Sequence, residues 1–332
     1  MNKKYSELAE LFRSEKTDEE ILDFLLNYHK NDIADMMAGM TEEERKRLYH
    51  LLGAQKVAEI FKYIEEPRKY IRELSVESAA RVISEMDSDD AVDLLEDLDP
   101  EEKEQIVRML DEDAKKDVKM LLSYDEEEIG SCMTTNYICI PEDLTIKQAM
   151  SELVKQAGEN DNIMTIYVVD EKGVFAGAID LKDLIRAREN THLKDLVLKS
   201  YPYVTDHEKI DDCMDRILDY AEDSIPVLSE DKRILGVITS EDLIEMVDNE
   251  MGEDYAKLAG LTAEEDLKEP IVQSMKKRLP WLIILLFLGM GVSSVVGLFE
   301  NVVAVLPIVI CFQSLVLDMA GNVGTQSLAV TI

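Results

Sequence analysis

The chain has few of the residues from which most catalytic and transition-metal sites are built. Its 332 residues include only four histidines, four cysteines and one tryptophan. The histidines are scattered and the cysteines form no C-x-x-C pair, which argues against a zinc-type cluster or a disulfide framework and predicts reduced thiols. The sequence also lacks a P-loop, a G-x-G-x-x-G string and a nucleophile–base set, so we predict that the protein is not an enzyme.

Positive charge is scarce as well. The 36 lysines and arginines are outnumbered by 70 aspartates and glutamates, which gives a formal net charge of −34. A surface of this sign repels nucleic-acid phosphates and attracts cations, so nucleic-acid binding is not expected. No apolar run of the signal-peptide type stands at the N-terminus, and we expect the first domain to stay in the cytoplasm.

Charge of either sign is nearly absent from residues 280–332, which contain only Glu300 and Asp318. Within this region the 19 residues 281–299 carry no charge at all. That length is enough for a helix to cross a hydrocarbon core of ~30 Å. Three basic residues precede the run, at 276–278, and by the positive-inside tendency this end faces the cytoplasm. We predict a multi-pass protein of the plasma membrane, in contact with lipid, with a cytoplasmic N-terminus.

A second apolar stretch, residues 302–332, contains the polar residues Asp318, Asn322 and Gln326. Polar groups in a membrane helix are costly and usually face a bundle interior or a water-filled path. Asn322 and Gln326 are four residues apart and share a helix face. All three are candidate pore residues. The chain ends without a polar flank, so we expect it to be truncated in or after this second span, with more helices or another subunit completing a pore.

Residues 1–128 show apolar residues at helical spacing and no convincing strand. A short repeat recurs every twelve residues at 74–77, 86–89 and 98–101, each time with an apolar residue followed by Ser or Asp and then acids. Ser75, Asp87 and Asp99 stand where helix N-caps are expected. The pattern predicts an acidic, all-α superhelical (solenoid) domain. For any one of its acids, capping is the simpler interpretation and metal ligation the alternative.

Two later segments, residues 129–196 and 197–250, follow a single plan. Each reads as an extended run, a helix, a β-branched strand, a turn, a second strand and a helix. This internal repeat predicts two α/β domains of βαββα order.

The two repeats resemble a tandem pair of cystathionine-β-synthase (CBS) domains. The matching strings are residues 141–143 with 177–183 in the first repeat and residues 236–242 in the second. CBS pairs often bind adenine nucleotides, and their ribose signature is a Ser or Thr three residues before an Asp. Thr239 and Asp242 fit that signature, whereas Asp180 replaces the hydroxyl in the first repeat. The resemblance therefore implies ATP as a candidate ligand, through the second repeat.

The order of segments resembles the MgtE family of magnesium channels over the whole chain. The most specific strings are EDYAKLAG at 253–260 and GNVGTQ at 321–326. The resemblance implies a homodimer that forms the pore, a plug or connecting helix over residues 251–279, and a transmembrane region from residue 280. It further implies Mg²⁺ both as the transported ion and as a regulatory ion, bound between the cytosolic domains, that holds the pore closed.

The resemblance also implies a set of metal ligands. Positions at the second CBS helix and the plug match acidic family positions, and Asp211 is a looser match. In the helical domain the candidates are three neighbouring aspartates. The full set is Asp89, Asp90, Asp93, Asp211, Asp242, Glu245, Glu250, Glu253 and Asp254.

A physical mechanism follows from the charges. Carboxylates on facing domains repel by about 1 to 4 kcal/mol per pair at 4 Å, and hydrated Mg²⁺ ions held by one or two carboxylates each would cancel that repulsion. The hypothesis is an Mg²⁺ uptake channel that closes by feedback when internal Mg²⁺ is high. One alternative is a membrane-tethered CBS protein that senses adenine nucleotides. Co²⁺ or another divalent ion also remains open as a transported species.

Overall fold

The structure is a computed structural model, and it describes residues 17–64, 66–158, 160–188, 191–258, 261, 271–299 and 307–331. The chain divides into two compact units, Met1–Asp242 and Leu243–Ile332. The first unit contains the helical module and both α/β repeats. The second contains most of one acidic helix and the two apolar helices.

Eight helices make up the described part of the helical module. They are α1 (Asp18–Leu25), α2 (Lys30–Met37), α3 (Glu42–Phe61), α4 (Pro67–Ile71), α5 (Val76–Ser84), α6 (Ser88–Glu96), α7 (Pro100–Met109) and α8 (Glu112–Leu121). Helix α3 packs on α5, α5 on α7 and α6 on α8, whereas α2 packs on its immediate neighbour α3. The first sixteen residues lie outside the described part of the chain.

The N-caps explain why short helices begin where they do. Thr17 and Thr41 form capping boxes with the glutamates three residues on, each satisfying backbone N–H groups that the first helical turn leaves free. Ser75, Asp87 and Asp99 are the N-caps of α5, α6 and α7. The twelve-residue repeat therefore marks successive helix starts, and the predicted helical domain is confirmed.

The two α/β repeats have the same order of elements. The first comprises β1 (Ile138–Pro141), α9 (Ile146–Gln156), β2 (Thr165–Val169), β3 (Phe175–Asp180) and α10 (Leu181–Arg186). The second comprises β4 (Val204–Thr205), α11 (Ile210–Leu218), β5 (Ser224–Leu228), β6 (Ile234–Thr239) and α12 (Ser240–Leu258). In each sheet the first two strands are parallel and the last two antiparallel. This is the predicted βαββα plan, twice.

Strand register repeats between the two sheets. Thr165 pairs with Asp180 in the first, Ser224 pairs with Thr239 in the second, and each pair of strands has a register shift near its far end. A buried contact joins the sheets, because the Tyr167 hydroxyl lies 2.6 Å from the Ser224 hydroxyl. The Tyr201 hydroxyl donates to the Ser224 carbonyl at 2.7 Å. The repeats thus form one pair with a shared core.

A short segment, residues 129–135, ties the helical module to the second repeat. Ile129 and Gly130 donate backbone hydrogen bonds to the carbonyls of Glu208 and Asp206, at 2.8 and 2.9 Å. Thr134 then pairs with Val237 of β6, each backbone N–H donating to the other's carbonyl. The segment therefore fixes where the helical module meets the α/β pair.

The second unit consists of the greater part of α12, followed by α13 (Ile271–Leu298) and α14 (Pro307–Thr331). By length and composition, residues Ser274–Leu298 of α13 are one candidate membrane span among the described residues. The second apolar stretch forms α14, which continues through Gly321 and Gly324 without a break. The predicted transmembrane region thus corresponds to two long helices.

Candidate metal site

The site begins at the N-terminus of α6. Asp87 is its N-cap residue, yet the Asp87 side chain accepts no bond from the helix's own backbone. One carboxylate oxygen, Oδ2, pairs instead with the ammonium of Lys62, at the C-terminal end of α3. The other, Oδ1, accepts from the Asn136 side-chain amide at 2.8 Å. An aspartate at an N-cap position normally accepts a hydrogen bond from the backbone of its own helix. Asp87 instead bonds to a residue at the end of α3 and to a residue of the α/β pair.

The next residue docks α6 onto the α/β pair. The Thr135 backbone N–H donates to the buried Ser88 hydroxyl at 2.9 Å. The Thr135 hydroxyl in turn donates to Oδ2 of Asp117, on α8, at 2.8 Å. The first turn of α6 is consequently held against residues 134–136.

Asp89, in the first turn of α6, lies where the ionised form of its carboxyl is unfavourable. Its Oδ1 atom is fully buried and accepts no hydrogen bond from the residues that the structure describes. Burial raises the pKa of this carboxyl well above its usual range, and the charges of Asp242, Asp90 and Asp87 raise it further. A buried acceptor without a partner costs about 1 to 3 kcal/mol, more when it is charged. In proteins such an atom usually serves a ligand or an ordered water.

Asp242 approaches the same place from the second repeat, in the first turn of α12. Its Oδ2 accepts from the Thr239 backbone N–H at 2.7 Å, and its own N–H donates to the Thr239 hydroxyl at 3.3 Å. Burial raises its pKa to about 6, with the charges of Asp90 and Asp87 acting in the same direction. Thr239 and Asp242, the predicted ribose pair, thus cap α12 together.

A thiol lies within the field of these acids. Burial raises the pKa of Cys132, and the charges of Asp93, Asp242 and Asp89 add to that effect, while a hydrogen bond with Ser131 opposes it. Cys132, Cys139 and Cys213 are free thiols.

We call the group formed by Asp87, Asp89, Asp90, Asp242 and Lys62 the junction cluster. No three His, Cys, Asp or Glu side chains in the described part of the chain lie close enough together to enclose a metal ion. Magnesium rarely needs such a cage, since it keeps several waters and commonly takes one or two carboxylates. The unbonded oxygen of Asp89, close to the charge of Asp242, fits that mode of binding.

The structure brings together only part of the predicted ligand set. Asp89, Asp90 and Asp242 interact, and Asp93 acts on the neighbouring thiol. Asp211 lies exposed in the first turn of α11, where, after Glu127 and Asp212, its charge helps to raise the pKa of Lys209. Four candidates lie on α12 within the second unit, Glu245, Glu250, Glu253 and Asp254, and the side chain of Glu253 is outside the described ones.

Sequence reasoning missed Lys62, Asp87 and Asn136 as members of the site. The twelve-residue repeat predicts Asp87 as an N-cap residue, which it is, but does not show that its side chain bonds to other elements. Nothing in the local sequence connects Lys62 or Asn136 with Asp87, since 25 and 49 residues separate them from it. The density of acids gives no distinguishing signal, because residues 87–90 contain three acids and so do residues 99–102 at the next repeat position.

The fold therefore defines a class of protein in which an acidic helical module, a CBS pair and long apolar helices follow one another along the chain. Family models match the helical module and the CBS pair. The profile described as "MgtE intracellular N domain" matches residues 28–127, and the CBS domain profile matches residues 127–190 and 193–249.

Curated relatives extend the likeness beyond the first unit. The chain is 38% identical over 336 aligned positions to the magnesium transporter MgtE of Enterococcus faecalis, covering all of this chain and 74% of that protein. It is 32% identical to MgtE of Bacillus subtilis and 31% identical to MgtE of Thermus thermophilus, over 63% of this chain and 47% of each relative. The chain belongs to the MgtE family of magnesium transporters, a family of transporters and not of enzymes.

Solved structures agree on the fold. The soluble part of a magnesium transporter matches 74% of this chain and 98% of its own length, with a TM-score of 0.71 at 29% identity. The cytosolic domain of the Mg²⁺ channel MgtE in complex with ATP matches 73% of this chain and 99% of its own length, with a TM-score of 0.65 at 27% identity.

Proposed function

We propose that the protein carries Mg²⁺ across the plasma membrane and that its helical module and CBS pair close the pathway when internal Mg²⁺ is high. Membership of the MgtE family supports the identity of the ion. The sensing role rests on one observation, the buried and unbonded Oδ1 of Asp89 beside other carboxylates. This oxygen lies where the helical module meets the CBS pair, so whatever binds it affects how the two are held together.

Repulsion in the junction cluster supplies the driving force. Asp89 and Asp242 come from different domains, and each charge is opposed by burial and by neighbouring acids. Without a cation, docking of the two domains must pay for that burial or take up protons. A divalent ion bound by Asp89 and Asp242 neutralises both and binds the docked state better than the separated one. Differential binding of this kind shifts the population toward docking.

The position of Asp242 suggests how occupancy reaches the pore. Asp242 is in the first turn of α12, and the same helix carries Glu245, Glu250 and Asp254 further along. We assign to this helix and to residues 251–279 the role of plug or connection. The remaining acids of α12 serve as additional, weaker Mg²⁺ ligands in this proposal, as do Asp93 and Asp211.

The pore itself is assigned to α13 and α14, in a homodimer whose subunits both contribute. Asp318, Asn322 and Gln326 are spaced four residues apart on α14 and therefore form a polar stripe along an otherwise apolar helix. Such a stripe is expected to face an aqueous path and not lipid. Entry of Co²⁺ or other divalent ions is part of the same proposal.

Mg²⁺ titration of the full chain in detergent, followed by calorimetry, tests the sensing role. Asp89→Asn and Asp242→Asn should each weaken Mg²⁺ binding about tenfold or more, because each removes a carboxylate from a site with only one or two. The matched control is Asp113→Asn, since Asp113 holds the same second position in α8 that Asp89 holds in α6, but is exposed. Equal Mg²⁺ affinity in all four proteins would remove the basis of the proposal.

A second function, adenine-nucleotide binding, is favoured by the ATP complex of the structural relative. We propose that ATP binds the CBS pair with Thr239 and Asp242 at its ribose. Because Asp242 also belongs to the junction cluster, Thr239→Val separates the two ligands. That variant should lose ATP binding in a fluorescent-nucleotide titration and keep most of its Mg²⁺ binding. Parallel loss of both ligands would show that Thr239 acts only through the cap of α12.

A further inference from the structure

The junction cluster contains one cation of its own. Lys62 pairs with Asp87, and its Nζ lies 3.5 Å from Oδ2 of Asp90. Of the four carboxylates in the cluster, the ammonium contacts two, those of Asp87 and Asp90. Because the Lys62 side chain is still 33% exposed, its flexible stem allows the ammonium to leave the cluster for solvent.

The partners of Lys62 show what it does and does not neutralise. It occupies Oδ2 of Asp87, while Asn136 takes Oδ1, so the hydrogen-bonding capacity of Asp87 is well used. It also reaches Asp90. The Oδ1 atom of Asp89 has no hydrogen-bond partner in the described part of the chain. The ammonium therefore contacts Asp87 and Asp90 and does not bond to the buried Oδ1 atom of Asp89.

We propose that Lys62 is a built-in counter-ion that competes with Mg²⁺ at the junction cluster and so sets the Mg²⁺ concentration at which the two domains lock together. This inference rests on the proposed sensing function and adds a residue to it. Without Mg²⁺ the ammonium partly offsets the repulsion and keeps the domains loosely docked. When Mg²⁺ binds, the two cations repel each other, which weakens Mg²⁺ binding relative to a cluster without the lysine.

A purely structural ion pair predicts something different. If Lys62 only tied α3 to α6, its loss would weaken docking equally with and without Mg²⁺. If Lys62 is a counter-ion, its loss harms the Mg²⁺-free state most, because bound Mg²⁺ replaces the missing charge. A unit charge at a few ångströms changes such an equilibrium about fivefold even at the dielectric constant of water.

Thr135 provides a direct reporter of docking, since its backbone N–H donates to Ser88 across the junction. Amide hydrogen exchange at Thr135 is measured for the full chain in detergent, with EDTA and with saturating Mg²⁺. The measured quantity is the exchange rate in EDTA divided by the rate in Mg²⁺. In Lys62→Met this ratio should be about fivefold or more higher than in wild type, because exchange in EDTA becomes faster. Lys62→Arg keeps the charge and should restore a ratio near that of wild type.

Lys46→Met is the matched control, because Lys46 lies on α3 and forms an exposed pair with Glu42. It removes the same charge outside the cluster and should leave the ratio unchanged. A Lys62→Met ratio equal to that of wild type or of Lys46→Met overturns the counter-ion role alone. No effect of Mg²⁺ on Thr135 exchange in the wild-type chain overturns the sensing function and this inference together.

Discussion

Helices α6 and α8 begin with nearly the same local sequence and have opposite electrostatics. At α8, Asp111 accepts a bond from the Ala114 backbone N–H at 2.8 Å, and Asp113 is exposed. At α6, Asp87 bonds to residues of other elements, and one carboxylate oxygen of Asp89, Oδ1, is buried with no hydrogen-bond partner among the described residues. The acids of α8 stabilise their own helix, whereas those of α6 give up that stabilisation at a domain junction. A motif common in stable proteins becomes a candidate sensor when a second domain covers it.

The comparison is tested most strongly by removing one charge from each helix. In Mg²⁺-free buffer at pH 8, Asp89→Asn should raise the free energy of unfolding of the first unit by about 1 to 3 kcal/mol, since it relieves a buried and repelled charge. Asp113→Asn should lower it by about 0.5 kcal/mol through loss of a favourable interaction with the helix dipole. Urea titrations measure both. Changes of the same sign would mean that the two helix starts do not differ as described.

The dependence of stability on pH tests the electrostatics of the junction cluster, through Asp242. The pKa of Asp242 is about 6 in the folded protein against an ordinary value of 3.8, so the folded state binds more protons between these values. The contribution of this group to stability in Mg²⁺-free buffer should therefore be greatest below about pH 4 and be lost as the pH rises through about 6. Mg²⁺ should reverse the fall.

His207 contributes with the same sign, because its hydrogen bond with Glu128 raises its pKa. The informative quantity is thus the difference between wild type and Asp242→Asn, measured as the urea midpoint from about pH 4 to 7.5. The variant should show a flatter profile than wild type. Profiles that superimpose would mean that Asp242 does not carry an uncompensated charge.

Loss of the N-cap bond at α8 should change the free energy of unfolding by a smaller amount, and the change should not depend on Mg²⁺. Asp111→Ala removes the side-chain bond to the backbone N–H of Ala114 and should cost about 1 kcal/mol in urea unfolding. The cost should be equal in EDTA and in Mg²⁺. A cost that depends on Mg²⁺ would mean that α8 also takes part in Mg²⁺ sensing, so that it would not differ from α6 as described.

The smallest effect is expected at α7, where Asp99 and Glu102 pair with Arg72 on the surface. Exposed ion pairs of this kind contribute little. Arg72→Ala should leave the urea midpoint and the Mg²⁺ response of the protein within experimental error of wild type. A marked loss would indicate that surface acids elsewhere in the module also act in docking.

Much of the architecture was predictable because it depends on local patterns. Apolar spacing with Ser75, Asp87 and Asp99 as caps predicted the helices, and the internal repeat predicted the order of elements in the two α/β repeats. The metal site was only partly predictable. Aspartates at 89 and 90 could be singled out, but burial of one oxygen of Asp89 depends on how two domains meet.

Lys62 shows the limit most clearly. At the end of α3 it resembles any lysine that interacts favourably with a helix C-terminus. Its contact with Asp87 and Asp90 arises only after α3, α6 and residues 134–136 come together. No local signal in the sequence reports that assembly.

Amide exchange of Thr135 in the full chain, with and without Mg²⁺, tests the central claim most directly. The account predicts that millimolar Mg²⁺ slows this exchange about tenfold or more in wild type and in Asp113→Asn, and that Asp89→Asn makes it insensitive to Mg²⁺. Equal slowing in Asp89→Asn, or none in wild type, would contradict the claim that the junction of the helical module and the CBS pair senses Mg²⁺.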